Sequence, residues 1–288
     1  MSKQSAEAMK RIFAAVQPIL REAGYRKSGS IFNRIIEPDG LVHVVEFQRS
    51  ASIHTVPGER QVTTPYGGFT LNLGIWLPGV WQAMRAPMEW NDAMEGKVVS
   101  SSHCHLRERL GSFFPIPADY WWPVSEDGAS GEVVAWGMAE YGLPWLAGFV
   151  SWDQILRQFE EGPAEGKHRV RLLAMCMRIA RGQHDEAERD FVEHLTYLAT
   201  KPSDPRLRSL NPDSSVVPFI ESLERLAVAH RFTVDVQAYA AQARQRERAE
   251  KADQPGPAGD DAHRLLRIWP APDTEGGMNP QLKSGCVS

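Results

Sequence analysis

The chain has 288 residues, of which 42% are hydrophobic and 24% charged, and these fractions are typical of a folded globular protein. They exclude a disordered, a collagen-like or a wholly transmembrane chain. The formal net charge is -4 and neither half of the sequence has a basic surplus, so we expect no nucleic-acid partner and no membrane partner.

The cellular compartment is predicted from the absence of signal-peptide and membrane-spanning patterns in the sequence. Its N-terminal stretch has no apolar core of the kind a signal peptide needs, and no apolar run of about 18 residues occurs. The three cysteines, Cys104, Cys176 and Cys286, are odd in number and far apart, which indicates free thiols rather than a disulfide framework or a zinc knuckle. We therefore expect a cytoplasmic protein without a cofactor or a bound metal.

The first part of the sequence predicts a helix followed by a small antiparallel sheet. From Ser5 to Ala23 apolar residues recur every three or four positions, the spacing of an amphipathic helix, and Gly24 supplies its end. Runs rich in Val, Ile, Phe and Thr follow, the first two joined by the turn Pro38-Asp39-Gly40. The predicted strands are Ser30–Ile36, Leu41–Ser50, Gly68–Leu77 and Lys97–Leu106, with short helical or irregular structure between Pro78 and Gly96.

Helical periodicity replaces the strand pattern after Pro117. The predicted helices are Ser130–Gly142, Ser151–Glu161, Lys167–Arg181, Asp185–Thr200, Ser214–Arg231 and Val234–Ala252. The string RIARGQHDEAERDFVEHL resembles part of a tetratricopeptide-type hairpin, but a single unit of this kind is more often a plain antiparallel helix pair, which is the favoured interpretation. We predict an α+β domain over 1–125, a helical connection over 126–161, a helical region with helix hairpins over 162–252, and a mostly disordered tail over 253–288.

The string SSSHCHLRERLG, from Ser100 to Gly111, is the strongest candidate in the sequence for a ligand-binding or metal-binding site. If its first half is a strand, His103, His105 and Arg107 project from one face. Two histidines at this spacing could share a metal with His43 or Glu46 from a neighbouring strand, but a hydrogen-bonded polar sheet face fits the same pattern and is favoured. No catalytic residue can be named from it.

Arginines near this string form a second candidate site. Arg107 and Arg109 could bind a carboxylate or a phosphate together with Arg49, because the planar guanidinium fork matches such anions. Pairing with Glu46 or Glu108 is the structural alternative. The ligand-binding candidates are therefore Arg49, His103, His105, Arg107 and Arg109.

Tryptophans are frequent in this sequence, and an exposed pair would suit protein binding. Nine are present, and Trp121 and Trp122 are adjacent, which makes them the candidates for a protein-binding anchor. Motifs for a nucleophile elbow, a phosphate loop, a dinucleotide site and a zinc protease are absent from the sequence. Enzymatic activity is therefore uncertain, and the balance leans against it.

A set of short segments in fixed order resembles a known family. They are ILREAGYRKSGSIFNRI, VVEFQRSAS, GGFTLNLGIWL, CHLRERLG and the Trp-Trp pair, and they extend from Met9 to about Trp122. This N-terminal half is similar to the bacterial domain of unknown function family 4304. The resemblance implies an α+β domain with an antiparallel sheet, and it implies no activity and no catalytic residues.

Two functions remain open from the sequence. The first is a cytoplasmic, non-enzymatic protein that recognises another protein through its sheet face or its helical layer, as an immunity or regulatory protein does; the acidic background would complement a basic partner. The alternative is a small-ligand-binding protein or an enzyme that uses the His/Arg cluster on the sheet. That alternative requires those side chains to converge on a cleft.

Overall fold

The structure is a computed structural model that describes residues 3–50, 68–85, 98–115, 120–124, 129–161, 164–201 and 215–252. A helix, a five-stranded antiparallel sheet and a series of further helices follow one another, which confirms the predicted α+β fold class. The elements up to the end of the sheet are α1 (Lys3–Glu22), β1 (Arg26–Ser28), β2 (Ile31–Ile36), β3 (Leu41–Arg49), β4 (Phe69–Trp76), α2 (Val80–Arg85), a 3-10 turn (Ser101–His103), β5 (Leu106–Arg109) and a second 3-10 turn (Leu110–Phe113).

The remaining elements are helical. They are α3 (Ala129–Gly137), a π-helical turn (Met138–Gly142), α4 (Leu143–Ala147), α5 (Trp152–Glu161), α6 (Ala164–Ala180), α7 (His184–Thr200), α8 (Val217–Ala229) and α9 (Val236–Ala252). The predicted helix Ser130–Gly142 is therefore longer than expected, because a π turn joins α3 to α4 without a break. No helix among the described residues is both long and apolar enough to cross a membrane.

The strands lie in their order along the chain, and each pairs antiparallel with the next. Val45 on β3 stands opposite Phe32 on one side and Leu73 on the other, and all three are fully buried. Because side chains alternate across a strand, this row defines the core face of the sheet. The face is covered by the apolar stripe of α1, whose Ile12 and Val16 have no exposed surface.

The prediction of a strand from Lys97 to Leu106 is wrong. Residues Ser101–His103 form a 3-10 turn, and the strand begins only at Leu106. The turn is held by Glu46 on β3, whose Oε2 accepts hydrogen bonds from the Ser101 backbone N–H (2.8 Å) and hydroxyl (2.6 Å). A carboxylate that satisfies these donors competes with a β ladder for them, and the sequence pattern alone did not reveal that partner.

The helices of the second half pack into the same core as the sheet. Buried residues of α6 and α7, among them Met175 and Phe191, belong to the hydrophobic cluster that contains the core face of the sheet. His230, which follows α8, bonds the Ala83 carbonyl oxygen of α2 through Nε2 at 2.7 Å. The chain to Arg246 is one compact unit, and a second unit begins at Glu247.

Some predictions fall outside the described residues. These are the mostly disordered tail over 253–288 and the third cysteine, Cys286. Of the second unit the structure describes residues 247–252, which are the end of α9. The other two cysteines, Cys104 and Cys176, are free and buried, as predicted, and burial raises the pKa of the Cys176 thiol to about 12.

Gly74 lets the segment that contains Cys104 lie close to β4, on the face of the sheet opposite the core face. A Cβ at this position would lie 2.4 Å from Cys104 Sγ and 2.7 Å from Cys104 Cβ. Gly74→Ala is therefore expected to lower the free energy of unfolding by about 1–3 kcal/mol, as overpacking does. In urea denaturation, adding Cys104→Ala should recover part of this loss, because it removes the closer clash; strictly additive effects would contradict the contact.

Candidate functional site

The second face of the sheet carries the polar residues that the sequence singled out. It is partly covered by residues 98–104, which two side chains attach to the sheet. Asn33 on β2 donates to the Val99 carbonyl and accepts from the Val99 N–H, both at 2.9 Å, and Glu46 holds Ser101 as described above. Below this segment Val42, Val44 and Trp76 form a small separate apolar cluster with Val99 and Cys104. The centre of this face is therefore filled by the protein's own chain.

The two histidines of the string do not share a strand face. His103 ends the 3-10 turn, and its Nδ1 lies 2.8 Å from the Ser100 hydroxyl. His105 precedes β5; its Nδ1 accepts a hydrogen bond from the Leu77 N–H at 3.0 Å, and its ring lies 5.1 Å from the Trp81 ring. Burial lowers the pKa of His105 to about 4. Each histidine is thus engaged by a different local partner, and His105 is held neutral at pH 7.

The three candidate arginines do not all lie on this face of the sheet. Arg107 and Arg109 stand beside Gly74 and Asn72 of β4, with one core-facing residue between them. Arg107 is exposed, whereas the Arg109 guanidinium lies 5.4 Å from the Trp121 ring centroid, within cation–π distance. Burial lowers the pKa of Arg109. Arg49 stands opposite Phe69, on the core-facing side of the strand register, so it does not join the other two arginines on their face.

A metal site does not form from these residues. His43, offered as a third ligand, is buried on the core-facing side of β3, where its Nε2 bonds the Phe149 carbonyl at 2.7 Å. The other proposed ligand, Glu46, is occupied by Ser101. Within the part of the chain that the structure describes, no group of three His, Cys, Asp or Glu residues could hold a metal ion.

The adjacent tryptophans occupy different environments. Trp122 is only 4% exposed; it pairs with Phe69 through two backbone hydrogen bonds of 2.8 and 2.9 Å, and its ring lies 6.1 Å from the Phe69 ring. Trp121 is half-buried under Arg109. Trp122 is therefore a core residue, and the two rings do not form an exposed pair.

An exposed aromatic surface lies instead on α3 and the π turn, and the sequence reasoning missed it. Trp136 is 51% exposed and Tyr141 is 37% exposed, and their ring centroids are 5.4 Å apart. Both rings also contact Phe114, at 5.8 and 5.6 Å. Val133, one turn before Trp136, is 47% exposed. We call Val133, Trp136 and Tyr141, with Phe113 and Phe114 behind them, the aromatic patch.

The π turn is what brings the two exposed rings together. In an α-helix, residues five apart point about 140° away from each other, because each residue turns the helix by about 100°. The wider turn from Met138 to Gly142 brings Tyr141 back beside Trp136. Gly137 contributes by its small size: a Cβ there would lie 2.4 Å from Cζ of Phe114, whose ring packs on this backbone. Inserted π turns are frequent at functional sites.

Acidic side chains border the patch. Glu132 and Glu140 are exposed and stand four residues before and four residues after Trp136, one turn away on each side. The surface therefore combines exposed aromatic rings with negative charge. The sequence contained a signal for it, because Glu132, Trp136 and Glu140 share one helical stripe, but it did not show which stripe faces solvent.

Comparisons with known proteins bear on this half of the chain. No curated protein and no solved structure matches the sequence. The sequence model of one family, described as "Domain of unknown function (DUF4304)", matches residues 16–148. That range contains α1 from Val16 onward, the whole sheet, and the aromatic patch. Residues 16–148 thus match the DUF4304 family model, which is the family that the N-terminal segments resemble.

Proposed function

We propose that this chain is a cytoplasmic, non-enzymatic bacterial protein whose DUF4304 half binds another protein through the aromatic patch. The observation that carries the proposal is the exposure of Trp136, Tyr141 and Val133 side by side on one surface. Exposed apolar surface costs free energy in water, and contiguous patches of it are typical of interaction sites. Tryptophan and tyrosine also supply a large share of the binding energy in many interfaces.

The charge around the patch favours a basic partner. Glu132 and Glu140 flank Trp136, and the whole chain has a net charge of -4. An arginine of the partner placed over the Trp136 ring would gain a cation–π interaction and would lie within reach of either carboxylate. Such complementarity raises the association rate and selects against acidic competitors. Binding of this kind would block or regulate the partner, as an immunity or regulatory protein does.

The alternative function, a small-ligand site or an active site at the His/Arg cluster, has weaker support. His103, His105 and Arg109 each engage a different neighbour, and the segment 98–104 fills the centre of the face between them and β2. The residues do not converge on one cleft, which acid–base or nucleophilic chemistry would need. We therefore favour binding over catalysis.

Capture with matched baits tests the proposal. The bait is the full chain, immobilised and exposed to a lysate of its source organism, in wild-type form and as Trp136→Ser. The control bait is Phe219→Ser, which removes an aromatic residue of similar exposure, 45%, from α8. We expect a basic protein to be retained by the wild type and the control and to be lost from the Trp136→Ser bait.

Purified components complete this test. The dissociation constant of the captured protein should be at least tenfold weaker for Trp136→Ser than for Phe219→Ser, as expected for a residue at the centre of an interface. Calorimetric titration provides both values. Equal retention of every protein by the two variants, or equal affinities of the purified pair, would show that the patch is not the binding surface.

A further inference from the structure

A groove in the helical half lies apart from the aromatic patch. It runs between α7 and the start of α9, and its volume is about 900 Å³. One wall consists of α7 residues spaced three or four apart, and the other consists of the Thr233–Asp235 segment and the first two turns of α9. The lining includes the apolar residues Val192, Val234 and Tyr239 and the acidic residues Asp185, Glu188 and Asp235.

The groove has an apolar floor and an acidic rim. Val192, Val234 and Tyr239 are half-buried and supply the apolar surface. Four carboxylates and a single arginine, Arg189, are the charged groups of the lining. Glu188 is engaged by the N–H and hydroxyl of Thr233, and these bonds connect α7 to the start of α9. The walls are thus fixed relative to each other, and the rim has a net negative charge.

The size of the groove matches a helix. Two turns of α-helix are about 11 Å long and about 10 Å wide with side chains, which corresponds to a cylinder of about 850 Å³. An amphipathic helix would place its apolar stripe on the floor, and its flanking side chains would reach the rim. Helix-in-groove recognition follows this pattern, with anchors at positions i, i+3, i+4 and i+7.

We propose that this groove binds a basic amphipathic helical segment of a partner protein. A basic segment would complement the negative charge of Asp185 and Asp235 at the rim, whereas Glu193 is already paired with Arg171. A second copy of this chain in a symmetric contact would instead bring the same acidic rims against each other, which is unfavourable. The site uses none of the residues of the aromatic patch, so it stands whether or not the patch binds a protein.

Titration with a model peptide tests the groove. The probe is a fluorescein-labelled peptide of about 14 residues made of leucine and lysine, ordered so that a helix has one apolar and one basic face. We expect one peptide to bind per full-length chain by fluorescence anisotropy. Ala238→Arg, an exposed position on the α9 wall, should weaken binding at least tenfold, because it puts both bulk and positive charge into the groove.

The control variant separates the groove from general charge attraction. Val228→Arg adds the same charge on α8 at a residue that is 73% exposed and outside the groove, and it should change the affinity less than twofold. A peptide of the same composition in scrambled order should bind at least tenfold more weakly. Should Ala238→Arg unfold the chain, Gln242→Arg on the same wall takes its place.

Two results would overturn the proposal. Equal loss of affinity in the groove variant and in Val228→Arg would mean that the peptide responds only to net charge. Equal binding of the ordered and scrambled peptides would mean that no helical segment is recognised. Ultracentrifugation of the free chain addresses self-association: a dimer that Ala238→Arg dissociates would identify a second copy as the occupant and would also refute a partner helix.

Discussion

Trp122→Ala is expected to lower the free energy of unfolding by about 3–5 kcal/mol, the usual cost of truncating a large buried aromatic side chain. Trp122 is 4% exposed, and its ring lies 6.1 Å from the Phe69 ring and 6.0 Å from the Phe114 ring. Alanine leaves a cavity between these two residues that the surrounding sheet and helices cannot close completely. Urea denaturation followed by far-ultraviolet circular dichroism measures the loss.

The neighbouring residue provides the matched control. Trp121 is half-buried, with Arg109 at 5.4 Å from its ring, so Trp121→Ala leaves no core cavity and should cost about 1 kcal/mol or less. The two variants remove the same side chain at adjacent positions. If Trp121→Ala proves as destabilising as Trp122→Ala, the assignment of Trp122 to the core and of Trp121 to the outer face is wrong.

Trp122 also connects the core with the aromatic patch. Its ring contacts Phe114, and Phe114 in turn contacts Trp136 and Tyr141. Packing in this series holds Phe114 against the backbone at Gly137, where the exposed rings begin. The binding surface we propose therefore depends on buried residues for its shape, and that dependence explains why an exposed aromatic cluster can stay ordered in water.

The fold was predictable where one periodicity dominates. The stripe of α1 and the strands β2, β3 and β4 follow directly from the three-to-four and two-residue spacings of apolar residues, and the structure confirms them. The segment from Val98 to Arg109 was not predictable, because its conformation depends on partners distant in sequence. Asn33 and Glu46 hold its backbone, and such side-chain bonds leave no mark on local hydrophobic spacing.

The candidate site was less predictable than the fold, for a related reason. The sequence gives the positions of Trp121, Trp122 and Trp136, but the exposure of each ring depends on which parts of the chain pack over it. Phe69 buries Trp122 through a bridge across the end of the sheet. The pairing of Trp136 with Tyr141 needs a π turn, which no helical periodicity of 3.6 residues anticipates. The sequence therefore identified the candidate histidines, arginines and tryptophans, but it did not predict which of them are buried.

Acidification is expected to destabilise the protein through His105. Burial lowers the pKa of His105 from 6.5 to about 4, so the folded chain resists taking up a proton that the unfolded chain accepts. The free energy of unfolding is therefore unaffected by the protonation of His105 above pH 6.5, where the ring is neutral in both states. It falls as the pH drops toward 4, because the unfolded chain then binds a proton that the folded chain does not. A difference of this size corresponds to about 3 kcal/mol, since each unit of pKa is worth about 1.4 kcal/mol.

His105→Asn isolates this contribution from the titration of carboxylates in the same range. The asparagine Oδ1 can still accept the hydrogen bond that the Leu77 N–H donates to Nδ1 of His105, but the asparagine side chain does not titrate. The variant should be less stable than the wild type at pH 7, because the ring contact with Trp81 is lost. Between pH 7 and pH 4 the wild type should then lose about 3 kcal/mol more than the variant in urea denaturation. Parallel losses in the two proteins would show that His105 is protonated as easily in the folded chain as in the unfolded one, and that its burial beside Trp81 does not control the acid sensitivity of this fold.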